Sequence, residues 1–187
     1  MQEAVLEPPP EFLRQEQPTE QTNFSRVELL LETHRVTGRL DRQGAPRRLV
    51  DVLNTIDTAT VVLRDVSVEK LAEPEMAPLS FGIAHVKCEA ILLAIPDPEA
   101  SPPSGGLETV PKSASRATLL LPGLEVSGSV HFAPTVDPRS VPLLGRRDFL
   151  PVTDAEIAQV AFAFRRWREP LVVVNLARAL VYAPASE

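Results

Sequence analysis

The sequence contains an internal repeat, and this repeat constrains the fold more than any other feature. The matching stretches are Val27–Leu40 with Ala117–Val130, Val61–Val68 with Leu150–Ile157, and Ile83–Pro96 with Leu171–Pro184. The first pair aligns without a gap and has five identical positions, including Gly38 over Gly128. The offset between the copies drifts only from 90 to 88 residues. Since the three matches occur in the same order, they indicate an internal duplication.

The repeat divides the chain into four segments. Residues 1–25 form an acidic, proline-rich tail, and residues 26–96 form the first β-rich repeat. Residues 97–116 are rich in Pro, Ser and Gly, a composition typical of an exposed linker. Residues 117–184 form the second repeat. Each repeat has about 70 residues, which is marginal for an independent domain, so we expect the two to pack together.

Proline content and apolar periodicity predict a mainly β fold. Nineteen prolines disfavour long helices, because an interior proline removes a hydrogen bond and clashes with the preceding turn. We predict a hairpin around Glu32–His34, a short helix over Arg48–Asn54 and its equivalent over Ser140–Gly145. The third strands are predicted at Val61–Val68 and Phe149–Ile157. The fourth, at Ile83–Ile95 and Leu171–Ala183, is predicted as one bent strand or two short ones. Each copy is therefore β-β-short α-β-β, giving two tandem small antiparallel β-barrel-like units.

The sequence has none of the common catalytic, nucleotide-binding or zinc-binding motifs. Its three histidines stand apart from other metal-ligating residues, and Asp65 and Asp154 are interpreted as strand-end carboxylates in turns. We expect neither a metal nor a cofactor. The predicted function is a non-enzymatic binding or assembly module. The alternative of an enzyme whose site is built from loops stays open.

Cysteine content and apolar runs bear on the compartment. Cys88 has no cysteine within the chain to pair with, as is typical of a reducing compartment. No apolar run approaches the ~18 residues of a membrane-spanning helix, and the acidic, proline-rich N-terminus is unlike a secretory signal. We expect a cytoplasmic protein that does not enter a membrane.

The charge distribution indicates which class of partner the chain binds. The net charge is −6, and residues 1–25 account for −4 of it, with five acidic residues against Arg14 alone. Binding to nucleic-acid phosphates requires a basic excess, so nucleic acid is disfavoured although a local basic patch stays possible. We therefore expect a protein partner or self-association.

One short segment is the strongest candidate for partner binding. Arg165, Arg166, Trp167 and Arg168 hold the only tryptophan and three of the basic residues of the second repeat. The stretch taken as equivalent in the first repeat, Ala72–Pro78, is acidic and proline-rich. Arginine and tryptophan are favoured at protein interfaces, so these four residues are predicted to form a contact surface. The alternative is a charged loop whose tryptophan packs on its own unit.

The first repeat also resembles the Sm-like small β-barrels. The sequence VTGRL, then Asp51 and Asn54, then VVLRDVSVE is similar to the first signature of that family, and HVKCEAILLAIP is similar to the second. The resemblance implies that Asp51, Asn54 and Lys87 form an RNA base pocket, which makes RNA binding the alternative function. Both repeats also resemble an uncharacterised bacterial family of short β-rich domains with an Arg-Leu-Ser-Asp-x-x-Asn segment, which implies no activity.

Overall fold

The computed structural model describes residues 24–41, 48–55, 59–97, 112–140, 149–160 and 165–185. We call residues 24–97 the first half and residues 112–185 the second half. Most of the predicted tail and linker, and most of the predicted helix at Ser140–Gly145, lie outside the described residues. The first and sixth strands begin at Phe24 and Ser113, slightly before the boundaries predicted for the two repeats.

The described residues form ten strands, one α-helix and three short 3-10 helices. The strands of the first half are β1 Phe24–Leu30, β2 His34–Asp41, β3 Thr60–Lys70, β4 Leu79–Lys87 and β5 Leu93–Pro96. Those of the second half are β6 Ser113–Leu121, β7 Leu124–Phe132, β8 Phe149–Gln159, β9 Arg165–Asn175 and β10 Val181–Pro184. Helix α1 covers Leu49–Thr55, and the 3-10 helices cover Cys88–Ala90, 138–140 and Leu176–Arg178.

The sheet is antiparallel throughout and is not closed. Its strand order is β10-β6-β7-β8-β9-β5-β1-β2-β3-β4. The mainly β, antiparallel fold class is therefore confirmed. Where the sequence predicts two barrel-like units, the structure has one continuous sheet, because β5 pairs with β1 on one side and with β9 on the other. Strands β10 and β4 are left as the two edges of the sheet.

The region predicted as one bent strand or two short ones contains two strands in each half of the structure. In the first half, the chain leaves β4 at Lys87, makes one 3-10 turn and enters β5 at Leu93. In the second half, β9, a 3-10 turn and β10 follow in the same way. The turn redirects the chain, so that β5 pairs with β1 and β10 pairs with β6.

The two halves share an irregularity at the same place. The pairing of β2 with β3 shifts register at Gly38, and the pairing of β7 with β8 shifts at Gly128. The facing strands carry Asp65 with a φ of 51° and Asp154 with a φ of 49°. A Cβ atom on Gly128 would lie 2.5 Å from Val152 Cγ1. Only glycine therefore fits opposite this bulge without a displacement.

The core consists of two apolar clusters, and each of them draws residues from both halves. The cluster of the second half includes Leu30, Leu92 and Leu93 from the first half. The cluster of the first half includes Phe149 and Val173 from the second half. The two halves are thus packed against each other through buried apolar side chains.

No helix in the described part of the chain has the length and apolar character needed to cross a membrane.

Candidate functional site

One edge of the sheet exposes a row of large apolar side chains. Strand β4 pairs with β3 on one side, and no described strand lies on its other side. Leu79, Phe81 and Ile83 of this strand are 58%, 48% and 52% exposed. Phe81 pairs with Val66, which is buried. Since cross-strand partners lie on the same face of a sheet, Phe81 is on the face that forms the core, yet its side chain is uncovered.

The opposite edge of the sheet is also apolar. Among the described strands, β10 pairs only with β6, with Val181 opposite Leu120. Both of these side chains are exposed, and so is Leu180, which precedes the strand. Exposed apolar side chains along an unpaired strand favour association with another chain, and natural proteins usually protect such edges with charge or proline.

The junction of the two halves is a strand pairing of the same kind, already formed. Leu93 of β5 pairs with Val174 of β9, and Ala94 pairs with Val173. All four side chains are buried. Edge-to-edge pairing thus covers the apolar side chains of both strands.

Asn175, the last residue of β9, secures this junction. Its side chain is buried, and its Nδ2 donates to the carbonyl oxygen of Ile91 at 2.9 Å and to that of Cys88 at 3.2 Å. Its backbone N–H donates to the carbonyl of Leu92 at 2.9 Å. Its Oδ1 accepts a hydrogen bond from Ala177 N at 3.0 Å. The amide therefore satisfies backbone groups on both sides of the contact.

Arg178 adds a second polar contact across the junction. Its guanidinium donates to the backbone carbonyl of Glu89 at 3.1 Å and forms an ion pair with Glu32. Both partners belong to the first half, so this side chain also connects the two halves.

The residues predicted for an RNA base pocket form hydrogen bonds or ion pairs with other residues of this chain. Asn54 exchanges two hydrogen bonds with the backbone of Phe149, at 2.8 and 3.0 Å. Asp51 forms an ion pair with Arg48 at 2.9 Å, and Lys87 forms one with Glu89 at 3.3 Å. The amide of Asn54, which would have to read a base, is thus engaged in holding the two halves together.

Arg165, Arg166, Trp167 and Arg168 form the start of β9, so their predicted placement in a loop is wrong. Trp167 is partly buried against the core of the second half, and the three arginines are exposed. Glu156 of the neighbouring strand forms ion pairs with Arg166 at 3.7 Å and with Arg168 at 3.4 Å. The strand register gives a different comparison from the sequence. Trp167 pairs with Ile157 of β8, and Leu79, which lies beyond Ala72–Pro78, pairs with Val68 of β3.

A shallow cavity of about 470 Å³ lies beside these arginines. It is lined by Arg116, Asp154, Glu156, Arg168, Glu169 and Pro170. The lining mixes both charge signs and holds no histidine, cysteine or serine that the carboxylates could activate as a nucleophile. Among the described residues, no group of three or more His, Cys, Asp or Glu side chains is placed to hold a metal ion.

The apolar row on β4 is a feature that sequence reasoning missed. Its signal is the alternation of Leu79, Phe81 and Ile83 in LSFGI, which is typical of a strand. The sequence does not reveal that no neighbouring strand covers this one.

In comparisons with known proteins, no protein-family model, curated protein or solved structure matches this chain.

Proposed function

We propose that this chain is a non-enzymatic binding or assembly module that binds a protein through the β4 edge of its sheet. The observation that carries the proposal is the exposure of Leu79 and Phe81, which lie on the core-forming face of β4. A partner that covers these side chains would gain about 25 cal/mol of binding free energy for each Å² of apolar surface removed from water. An antiparallel strand edge also offers backbone N–H and C=O groups to a partner strand.

The proposal includes an internal duplication of one β-β-short α-β-β unit. It is supported by the two register shifts at Gly38 and Gly128, and by the positive φ at Asp65 and Asp154. Under this duplication β4 corresponds to β9, and β9 is already covered by another strand, β5. The strand equivalent to β4 in the second half is thus paired with another strand along the same edge.

The start of β9 is proposed as a second contact surface of this module. The exposed guanidinium groups of Arg165, Arg166 and Arg168 can bind carboxylates of a partner. Trp167 is partly buried in the core and gives the surface a rigid base. Because Arg166 and Arg168 already interact with Glu156, this surface supplies less binding energy than the apolar edge.

Site-specific photocrosslinking in the producing cell tests the proposal. We would replace Phe81 with p-benzoylphenylalanine, and Val62 in a matched control. Val62 is an exposed apolar residue of β3, the strand beside β4, and it lies on the opposite face of the sheet from Phe81, because its neighbours Val61 and Leu63 are buried. We expect a covalent adduct with a protein, either another chain or a second copy, from position 81 and not from position 62. Peptide mapping of the adduct identifies the partner. If the folded chain forms no adduct from position 81, or equal adducts from both positions, the β4 edge is not a binding site.

A further inference from the structure

We propose that the partner of the β4 edge is the β10 edge of a second copy of this chain, bound head to tail. This inference rests on the proposed function, since it names the occupant of the same site. The geometry that points to it is the junction inside the chain. There the β5 edge of the first half meets β9 of the second half, and the same two kinds of edge are left over at the ends of the sheet.

The register establishes which strands correspond. Strand β5 pairs with β1 through Pro96 opposite Val27, and β10 pairs with β6 through Pro184 opposite Ala117. The turns before these strands correspond as well, because Leu92 N donates to Leu30 O and Leu180 N donates to Leu120 O. Strand β10 is thus the counterpart of β5. We use "counterpart" for two residues that hold the same register position in the two halves.

Residues that the junction buries have counterparts that are apolar and exposed at the β10 edge. Leu30, Leu92 and Leu93 are buried at the junction. Their counterparts Leu120, Leu180 and Val181 are 38%, 71% and 44% exposed. Positions that face only water do not require large aliphatic side chains, whereas positions covered by a second copy do.

Leu71 and Val160 are a fourth pair of counterparts in which the first side chain is packed and the second is exposed. Leu71 donates its backbone N–H to Thr33 O and packs against the core cluster of the second half. Its counterpart Val160 donates to Gly123 O in the same way, and its side chain is 54% exposed. Val160 is therefore available to pack on the first half of the next copy.

The internal junction also gives the register of the proposed contact. Val174 and Val173 of β9 pair with Leu93 and Ala94. Transferring these pairs to their counterparts places Val86 opposite Val181 and His85 opposite Tyr182 of the second copy.

Lys87 takes the position that Asn175 holds at the internal junction. Asn175 uses its Nδ2 to donate to the carbonyls of Cys88 and Ile91. The counterparts of those two acceptors are Leu176 and Ala179, whose carbonyls belong to the second copy in the proposed contact. The ammonium of Lys87 is a donor with no acceptor capacity, so it suits the same two kinds of acceptor.

Such a contact is heterologous, because each copy contributes a different edge. A bound pair of copies keeps one free edge of each kind, so further copies add until the assembly closes into a ring or continues as an open array. An edge variant that blocks one kind of edge therefore leaves the other kind functional.

A complementation experiment with two blocked variants tests this inference. Ile83→Glu with His85→Glu blocks the β4 edge at positions that face β10 in this register, and Leu180→Glu with Val181→Glu blocks the β10 edge. Val62→Glu is the control, and analytical ultracentrifugation of the purified full chain gives the masses. We expect the unaltered chain and the control to exceed the mass of one chain. Each blocked variant should sediment as one chain, and their equimolar mixture should sediment as two chains.

Three results would overturn the inference. The unaltered chain could sediment as one chain at every concentration. The β10-blocked variant could dimerise alone, which would indicate pairing of β4 with β4. The mixture could fail to associate although both variants show the circular dichroism of the unaltered chain. If a variant misfolds, Ile83→Lys and Leu120→Lys replace the two pairs. A single-chain sedimentation result together with a photocrosslink from position 81 to a different protein would refute only the second copy, whereas the absence of any crosslink would refute the proposed function.

Discussion

The side-chain amide of Asn54 forms a pair of hydrogen bonds with the backbone of Phe149, the first residue of β8. Asn54 Nδ2 donates to Phe149 O at 2.8 Å, and Phe149 N donates to Asn54 Oδ1 at 3.0 Å. The Phe149 side chain is buried in the core cluster of the first half. One polar residue at the end of α1 therefore holds the start of a second-half strand in place, and the base-pocket role predicted for Asn54 competes with this structural one.

Replacing Asn54 should reduce the stability of the whole chain. We expect Asn54→Ala to lower the free energy of unfolding by about 1–3 kcal/mol, because two hydrogen bonds are lost and the Phe149 backbone loses its partner. Urea denaturation followed by circular dichroism measures the change. Asp51→Ala is the control, since its ion pair with Arg48 is exposed and should contribute at most about 1 kcal/mol. Equal effects of the two substitutions would contradict the role assigned to Asn54.

The three glycines on the strands should respond differently to alanine. At Gly128 the new Cβ would lie 2.5 Å from Val152 Cγ1 and 2.8 Å from Thr153 O. At Gly38 the nearest atoms would be 3.1 Å away, and at Gly82 nothing lies within 4 Å. We expect Gly128→Ala to cost about 1–3 kcal/mol of unfolding free energy and Gly38→Ala to cost less.

Gly82→Ala is the matched control for both substitutions. It should leave stability unchanged or raise it by up to about 1 kcal/mol, because alanine restricts the unfolded chain. Thermal unfolding of the three variants gives the order. If Gly82→Ala is as destabilising as Gly128→Ala, close packing at the bulge is not the reason for glycine there.

Local features of the fold could be predicted from the sequence. The short helix predicted at Arg48–Asn54 is found at Leu49–Thr55. The strand predicted at Phe149–Ile157 is the core of β8, Phe149–Gln159. These elements follow from apolar periodicity and from the residues that end a helix, which are properties of neighbouring residues in the chain.

The pairing of distant strands could not be predicted in the same way. Val174 and Leu93 are both buried strand residues, and nothing in their local sequence indicates that they face each other. The role of Asn175 was missed for the same reason, because its acceptors Cys88 and Ile91 lie in the other half. A similar limit applies to Phe81, since only the strand order shows that this residue stands at an edge.

Substitutions at the start of β9 should distinguish the packing role of Trp167 from the proposed binding role of the arginines beside it. We expect Trp167→Ala to lower the free energy of unfolding by about 2 kcal/mol, because the side chain is partly buried in the second-half core. Arg166→Ser with Arg168→Ser should change stability by less than about 1 kcal/mol, since their ion pairs with Glu156 are exposed.

The same arginine variant should weaken partner binding if this surface is a contact. A photocrosslinking residue at position 165 reports on binding in the cell, and Arg139→Ser, an exposed arginine elsewhere in the second half, is the control. We expect the adduct to decrease in the double arginine variant and to persist in the control. An unchanged adduct would show that Arg166 and Arg168 do not contribute to partner binding.

The ionised carboxylate of Glu28 should lower the stability of the chain at neutral pH. This loss should disappear at mildly acidic pH, where Glu28 binds a proton. Burial raises the pKa of the Glu28 carboxyl above its ordinary 4.5, against the opposing effect of Arg35, whose Nε lies 3.1 Å away. Glu169 and Glu69 raise the pKa further, and Arg26 lowers it. The folded state thus binds this proton more tightly than the unfolded state. The resulting stabilisation is complete below the unfolded pKa and is lost as the pH rises through the folded pKa.

The substitution Glu28→Gln isolates this effect, because glutamine keeps the size and one oxygen acceptor of the side chain but cannot ionise. We expect Glu28→Gln to have a higher free energy of unfolding than the unaltered chain at about pH 7, and we expect the difference to shrink at about pH 4, where Glu28 becomes protonated. Urea denaturation at both pH values measures it, with the exposed Glu89→Gln as control. A variant that is less stable at neutral pH, with the deficit disappearing in acid, would mean that the Arg35 ion pair outweighs the burial of the charge.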